Sequence, residues 1–292
     1  MTLTGLYVPL ITPFDAAGAV ALDALEALAH RILAAGATGL VALGTTGEPA
    51  ALDPVEQRAV VDTVARVCRE RSAPLLVGAA TPPAMDLLRG RPEVVAALSV
   101  VPPFTRPGEA GVLAHFHHLA AVSPVPLVVY HVPYRTGQAL SSDALRRLAA
   151  LPGVVGVKYA AGGIDGDTVA LMADPPAGFA VLAGDDTVVS PLLAMGAHGA
   201  ILASAHVATA RFVDLLDAWR TGDAVRARAA GHRLARLSGA LFAEPNPTVV
   251  KAVLHAYDLI PTPAVRLPLL PARPDSVDAA LQAAERLVPA EA

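Results

Sequence analysis

Short apolar runs alternate with longer amphipathic segments along most of the chain. The runs are 6-LYVPLI-11, 39-GLVAL-43, 74-PLLVG-78, 97-ALSVV-101, 126-PLVVY-130, 154-VVGVK-158, 179-FAVLA-183 and 199-GAILA-203. Most do not alternate and are rich in Val, Leu and Ala, the pattern of strands covered on both faces. Between them the spacing predicts helices, among them Leu22–Ala35, Pro54–Arg71, Gly108–Val122 and Ser141–Ala150. Two of these open on capping signals: Asp53 stands before Pro54, and Ser141 and Ser142 before Asp143. The stretch 82-PPAMDLLRGRPE-93 holds three prolines and a glycine, which predicts a short or broken third helix.

Eight strand–helix units in about 220 residues predict an α/β fold, a (β/α)8 TIM barrel with a C-terminal helical extension. The expected division is a catalytic barrel over 1–221 and a helical region over 222–292 packed on it. A doubly wound open sheet is the alternative, but no G-x-G-x-x-G follows the first run.

Composition narrows the function classes. The net charge is -4 and no basic stripe is present, so nucleic acid is not an expected partner. The one cysteine, Cys68, excludes an intramolecular disulfide framework and a cysteine zinc cluster, and is expected as a small buried hydrophobe. It is compatible with a reducing compartment, and a cytoplasmic location is expected. Mean hydropathy is high at +0.50, yet no apolar run reaches the roughly 18 residues that span a bilayer. The N-terminus lacks the basic start of a signal peptide. The apolar excess therefore reads as a large core with a subunit interface.

In such a barrel the strand ends and the loops after them form the active face. Those positions hold 44-GTTGEPA-50, 102-PPFTRP-107, 131-HVPYRTG-137, Lys158 and 184-GDD-186. Of 22 basic residues only Lys158 and Lys251 are lysines. Lys158 ends a valine-rich run, where a buried ammonium is costly unless it is paired or loses its proton. Desolvation lowers a lysine pKa from about 10.4 and makes the amine nucleophilic towards a ketone, which arginine can never become. Lys158 is thus an imine-forming lysine, or else one that snorkels from the rim or pairs with Asp185. Tyr130 offers a proton-carrying phenol or a structural hydroxyl. The loop GTTGE is a nest of hydroxyls and N–H groups suited to a carboxylate or phosphate, or a turn in which Glu48 caps the next helix. Arg135 is a carboxylate clamp or a surface ion pair. Asp185 and Asp186 are read as the start of a helix. His115 and His118 share a helix face without a third ligand, and no metal is expected. His30, His198, His206 and His255 read as core or helix-surface residues.

GTTGE at 44–48, the Tyr-x-x-Pro-x-Arg-Thr-Gly stretch at 130–137 and a lysine ending the sixth strand resemble the dihydrodipicolinate synthase / N-acetylneuraminate lyase family. The resemblance extends from 9-PLITPFD-15 through 184-GDD-186 to 245-PNP-247 and the C-terminal helices, and lies closest to the synthase branch. It implies a carbon–carbon lyase or synthase in which Lys158 forms a Schiff base with pyruvate or a related 2-oxo acid, followed by aldol addition to an aldehyde or the reverse. It further implies that Thr45 and Thr46 hold the keto-acid carboxylate, with Thr45 also in a proton relay, that Tyr130 is the acid/base hydroxyl, that Gly184 and Ile201 line the pocket, and that Arg135 takes the second substrate's carboxylate. A homodimer or homotetramer is implied, with no cofactor and no catalytic metal.

Four positions depart from the family pattern. Phe104 stands where a relay tyrosine reaches into the neighbouring subunit's site, His131 follows Tyr130 where asparagine is usual, Tyr134 replaces a smaller residue, and Ala161 stands for a Thr or Ser. These departures keep two alternatives open: an aldolase or dehydratase for 2-keto-3-deoxy sugar acids, and a catalytically weak keto-acid-binding regulatory paralogue.

Overall fold

The computed structural model describes residues 2–287. Eight parallel strands close into a barrel in sequence order. They are β1 (Gly5–Pro9), β2 (Gly39–Ala42), β3 (Leu75–Gly78), β4 (Val94–Val100), β5 (Leu127–His131), β6 (Val154–Tyr159), β7 (Ala180–Ala183) and β8 (Gly199–Ile201). Closure is made by β8 pairing with β1, Ile201 opposite Tyr7. The helices are α1 (Leu22–Ala34), α2 (Pro54–Glu70), α3 (Pro82–Met85), α4 (Gly108–Val122), α5 (Pro133–Thr136), α6 (Ser142–Ala149), α7 (Gly166–Ala173), α8 (Val189–Ala194), α9 (Ala205–Arg220), α10 (Ala224–Leu241), α11 (Thr248–Ala256) and α12 (Pro274–Glu285). The TIM-barrel expectation holds, and helices α10 to α12 follow the eighth unit.

Local chemistry explains the element ends. Asp53 accepts from the N–H groups of Val55 and Glu56, and Glu56 reaches back to the Asp53 N–H, a reciprocal cap at the start of α2. Ser141 caps α6 through the Ala144 N–H. The proline-rich third unit gives only the four residues of α3 and one 3-10 turn. β4 begins three residues earlier than the apolar run predicts, because Val94 already pairs with Leu75.

Side-chain alternation divides the core in two. Val41, Leu76, Leu98, Val128, Tyr130, Leu182 and Ile201 pack inside the barrel. Leu40, Leu75, Val129, Val157 and Tyr159 point outward to the helix layer. Cys68 is buried among the outward set, and burial pushes its thiol up to about 12. Beyond the barrel, α10 packs on α8, α9 and α12, and α11 on α9 and α12. No helix among the described residues is long and apolar enough to cross a membrane.

Candidate active site

The β5–β6 register sets Tyr130 opposite Lys158. Both side chains point inward at the C-terminal end of their strands. Lys158 is only 7 % exposed, and its Nζ lies 4.3 Å from the centre of the Tyr130 ring. Burial lowers its pKa from 10.5 to about 8, with Asp186 pulling the other way and Arg135 assisting the drop. At pH 7 about a tenth of the amine is then free, against roughly one part in three thousand for an ordinary lysine.

Gly184 follows β7 directly beneath this side chain. A Cβ there would lie 2.6 Å from Lys158 Cγ and 2.9 Å from Cε, so only glycine leaves the lysine its path. Ile201 is fully buried on β8, inside the barrel. Tyr130 is likewise buried. Burial holds its phenol above the usual value, and Arg135 and the Thr45 hydroxyl partly offset the rise. The phenol is therefore protonated at neutral pH and ready to donate.

The loop after β2 is a 3-10 turn, Thr45–Gly47. Thr45 is exposed towards the mouth while Thr46 is buried. Thr46 Oγ1 accepts a hydrogen bond from Asn246 Nδ2 at 2.9 Å. Thr12, in the 9–15 stretch, donates to the Gly47 carbonyl at 2.8 Å. Arg135 sits in α5 beside Tyr134, with its guanidinium carbon 5.7 Å from that ring. Thr45 and Arg135 share a cleft of about 470 Å³ with Asn246 and the segment 266–269. Lys158, Tyr130, Thr45 and Gly184 thus converge, and Arg135 stands at the rim.

Several residues lie elsewhere than the sequence suggests. Glu48 caps no helix; its carboxylate pairs with Lys251 at 2.7 Å. Asp186 opens a 3-10 turn, but its side chain is buried and accepts the Ser204 N–H at 2.6 Å. Burial raises its carboxyl to about 6, while the Ser204 contacts and Lys158 restrain it. His131 does not face the pocket. Next to inward Tyr130 it points outward, 5.4 Å from the Tyr159 ring, and burial drops its pKa to about 4. Tyr134 is 62 % and Phe104 89 % exposed. Phe104 holds a left-handed φ of 67°, and its N–H donates to the Thr136 carbonyl at 3.2 Å. His206, by contrast, is the core histidine that the sequence suggests: it accepts from the Ile11 N–H at 3.2 Å and contacts the Ala203 carbonyl at 2.8 Å. No group of three or more metal-binding side chains occurs among the described residues.

A buried amine poised near pH 8 has a pH signature. Only a free amine attacks a carbonyl, so if Lys158 is the imine-forming lysine that the sequence suggests, kcat/KM for a 2-oxo acid rises about tenfold per pH unit below 8 and levels above it. A stopped-flow pH series measures this. A profile flat from pH 6 to 9 would contradict the assignment.

The residues 2–286 match the model of the dihydrodipicolinate synthetase family. A 4-hydroxy-tetrahydrodipicolinate synthase of Neisseria meningitidis serogroup B is 36 % identical over 293 residues, spanning 98 % of this chain and 100 % of that protein. The enzyme of the same name from Synechococcus elongatus is 37 % identical over 276 residues, 90 % of this chain and 89 % of that one. Among solved structures, a chloride-inhibited dihydrodipicolinate synthase from Acinetobacter baumannii complexed with pyruvate superposes with a TM-score of 0.90 at 32 % identity, covering 97 % of this chain and 99 % of that one.

Proposed function

The chain belongs to the dihydrodipicolinate synthetase family, and from that premise we propose that it joins pyruvate to an aldehyde through an imine on Lys158, as a synthase of the 4-hydroxy-tetrahydrodipicolinate type. The observation that carries the assignment of Lys158 is its buried amine, 4.3 Å from the Tyr130 ring and lowered to about 8.

The free amine adds to the keto carbon of pyruvate. The Tyr130 phenol gives its proton to the departing hydroxyl, and water leaves as the iminium forms. Thr45 and Thr46 hold the carboxylate by hydroxyl and backbone donors. Loss of a methyl proton to the phenolate, directly or through the Thr45 hydroxyl, yields the enamine. Its carbon attacks the aldehyde carbon, and the new alkoxide takes a proton back from Tyr130. Water or a substrate amine then displaces Lys158. Arg135 at the rim takes the carboxylate of the second substrate. Tyr130→Phe is expected to lower kcat by about 10²–10³-fold while leaving pyruvate KM within a few-fold. Unchanged kcat would remove Tyr130 from the proton path.

Phe104 and Tyr134 favour a second reading on the same imine. Phe104 lies in the loop after β4 without a hydroxyl and Tyr134 stands beside Arg135, so the aldehyde is a sugar-derived one in that reading. A coupled assay offering pyruvate with aspartate semialdehyde or with sugar-derived aldehydes separates them. Turnover of aspartate semialdehyde at about 1–10³ per second supports the synthase; turnover of sugar-derived aldehydes alone replaces it.

A homodimer or homotetramer in a cytoplasmic setting belongs to the same proposal. Phe104, Tyr134, Leu267 and Leu270 are exposed apolar side chains, which supports a covered face. The lone buried thiol of Cys68 suits a reducing compartment.

A further inference from the structure

Lys251 is the chain's other lysine, and the imine chemistry does not use it. It lies on α11 at 0 % exposure. Its Nζ donates to Glu48 Oε1 at 2.7 Å and stands 4.0 Å from the Phe14 ring centre. The second oxygen of Glu48 accepts the backbone N–H of Arg266 at 2.9 Å. The Arg266 guanidinium grips both oxygens of Glu56 at 2.6 Å and donates to the Ala51 carbonyl at 2.8 Å. Asn246 adds its bond to Thr46. The segment 246–266 therefore fastens the loop 46–56 at four places.

That loop needs fastening. Glu48 holds φ 54° and ψ 40°, a left-handed conformation that a non-glycine residue keeps only where its surroundings over-determine it. Glu48 follows the Thr45–Gly47 turn directly, so a shift at Glu48 moves both threonines. A buried ion pair contributes little net stability compared with well-packed apolar residues of the same volume. What it supplies here is a fixed position for one carboxylate, and through it for the backbone that carries Thr45 and Thr46. A guanidinium would be larger than the ammonium enclosed between Phe14 and Glu48, which accounts for a second lysine in a chain otherwise built with arginine.

We propose that Lys251 is a positioning residue: through Glu48 it holds the Thr45–Thr46 loop in the shape that receives a keto-acid carboxylate, so the C-terminal helices set the preference for charged over neutral ketones. This inference rests on the reading of those threonines as the carboxylate cradle.

The test is borohydride trapping of the lysine imine with two probes, pyruvate and the neutral ketone hydroxyacetone. It compares the full-length wild type with Lys251→Met, Glu48→Gln/Lys251→Met and Asn246→Ala. Lys251→Met strands a buried carboxylate, so the double variant, free of uncompensated charge, keeps the experiment readable if the single one misfolds. In the Lys251 variants the half-saturating pyruvate concentration is expected to rise about tenfold or more. In Asn246→Ala it rises about threefold. Hydroxyacetone trapping stays within about twofold of wild type throughout. Folded variants, verified by circular dichroism, that keep the wild-type ratio between the probes overturn the proposal. So does an equal loss of both probes, which marks general damage to the site. A wild type that traps neither probe sinks the imine reading itself, and this inference with it.

Discussion

Lys158→Met is expected to keep the fold, melt no lower than the wild type, and lose at least about 10⁴-fold in kcat/KM for pyruvate. The loss follows from the chemistry: without the amine no imine forms, and the carboxylate contacts proposed for Thr45, Thr46 and Arg135 have nothing to act on. The stability follows from burial. The folded pKa of Lys158, about 8, lies below its ordinary 10.5, so the unfolded chain binds the proton more tightly. That cost is fully present below pH 8 and fades as pH rises towards 10.5, on the order of 3 kcal/mol at pH 7. Methionine keeps the apolar length against Tyr130 without the charge, and Asp186, which loses Lys158, keeps the Ser204 N–H at 2.6 Å as its partner. Thermal melts at pH 7 and near pH 10, beside steady-state kinetics, check both halves. The melting advantage of the variant shrinks at the higher pH. A variant that melts well below the wild type at pH 7, or keeps more than about a hundredth of its activity, contradicts this account of a lysine held for chemistry at the expense of stability.

Gly184→Ala is expected to lower kcat/KM by about 10²-fold. Its Cβ would stand 2.6 Å from Lys158 Cγ and 3.2 Å from the Ala160 Cβ. Lys158 has to leave its path towards the Tyr130 face, and overpacking costs about 1–3 kcal/mol in addition. Gly163→Ala serves as the control, because a Cβ there meets nothing within 4 Å. Kinetics with pyruvate on both variants decides the point: equal activities would mean that Gly184 does not shape the lysine's position.

The barrel was legible because each strand is a short apolar run and most runs end in a polar loop. Tyr130 and Lys158 end adjacent runs, so parallel pairing alone brings them side by side. The proline-rich third unit announced its own broken helix. What sequence left hidden are contacts across long separations. Glu48 and Lys251 are 203 positions apart, and a glutamate after a turn reads locally as a cap. Gly-Asp-Asp does open a 3-10 turn at Asp186 as the sequence suggests, but the Ser204 N–H that donates to its buried side chain comes from the unit after. His131 is different, since a signal was present. Strand alternation turns the residue after an inward tyrosine outward, which removes His131 from the pocket on the sequence pattern alone. Phe104 and Tyr134 were legible as departures, and their exposure away from Lys158 directs attention to the aldehyde rather than to the imine.

The central claim is that Lys158 carries the reaction as an imine, and the chain's having only two lysines makes it directly testable. Wild-type enzyme incubated with pyruvate is reduced with borohydride, digested, and mapped by mass spectrometry. A reduced pyruvyl adduct is expected on the peptide containing Lys158, none on the peptide containing Lys251, and none anywhere in Lys158→Met. An adduct absent from Lys158, or one that persists in Lys158→Met, would contradict the claim.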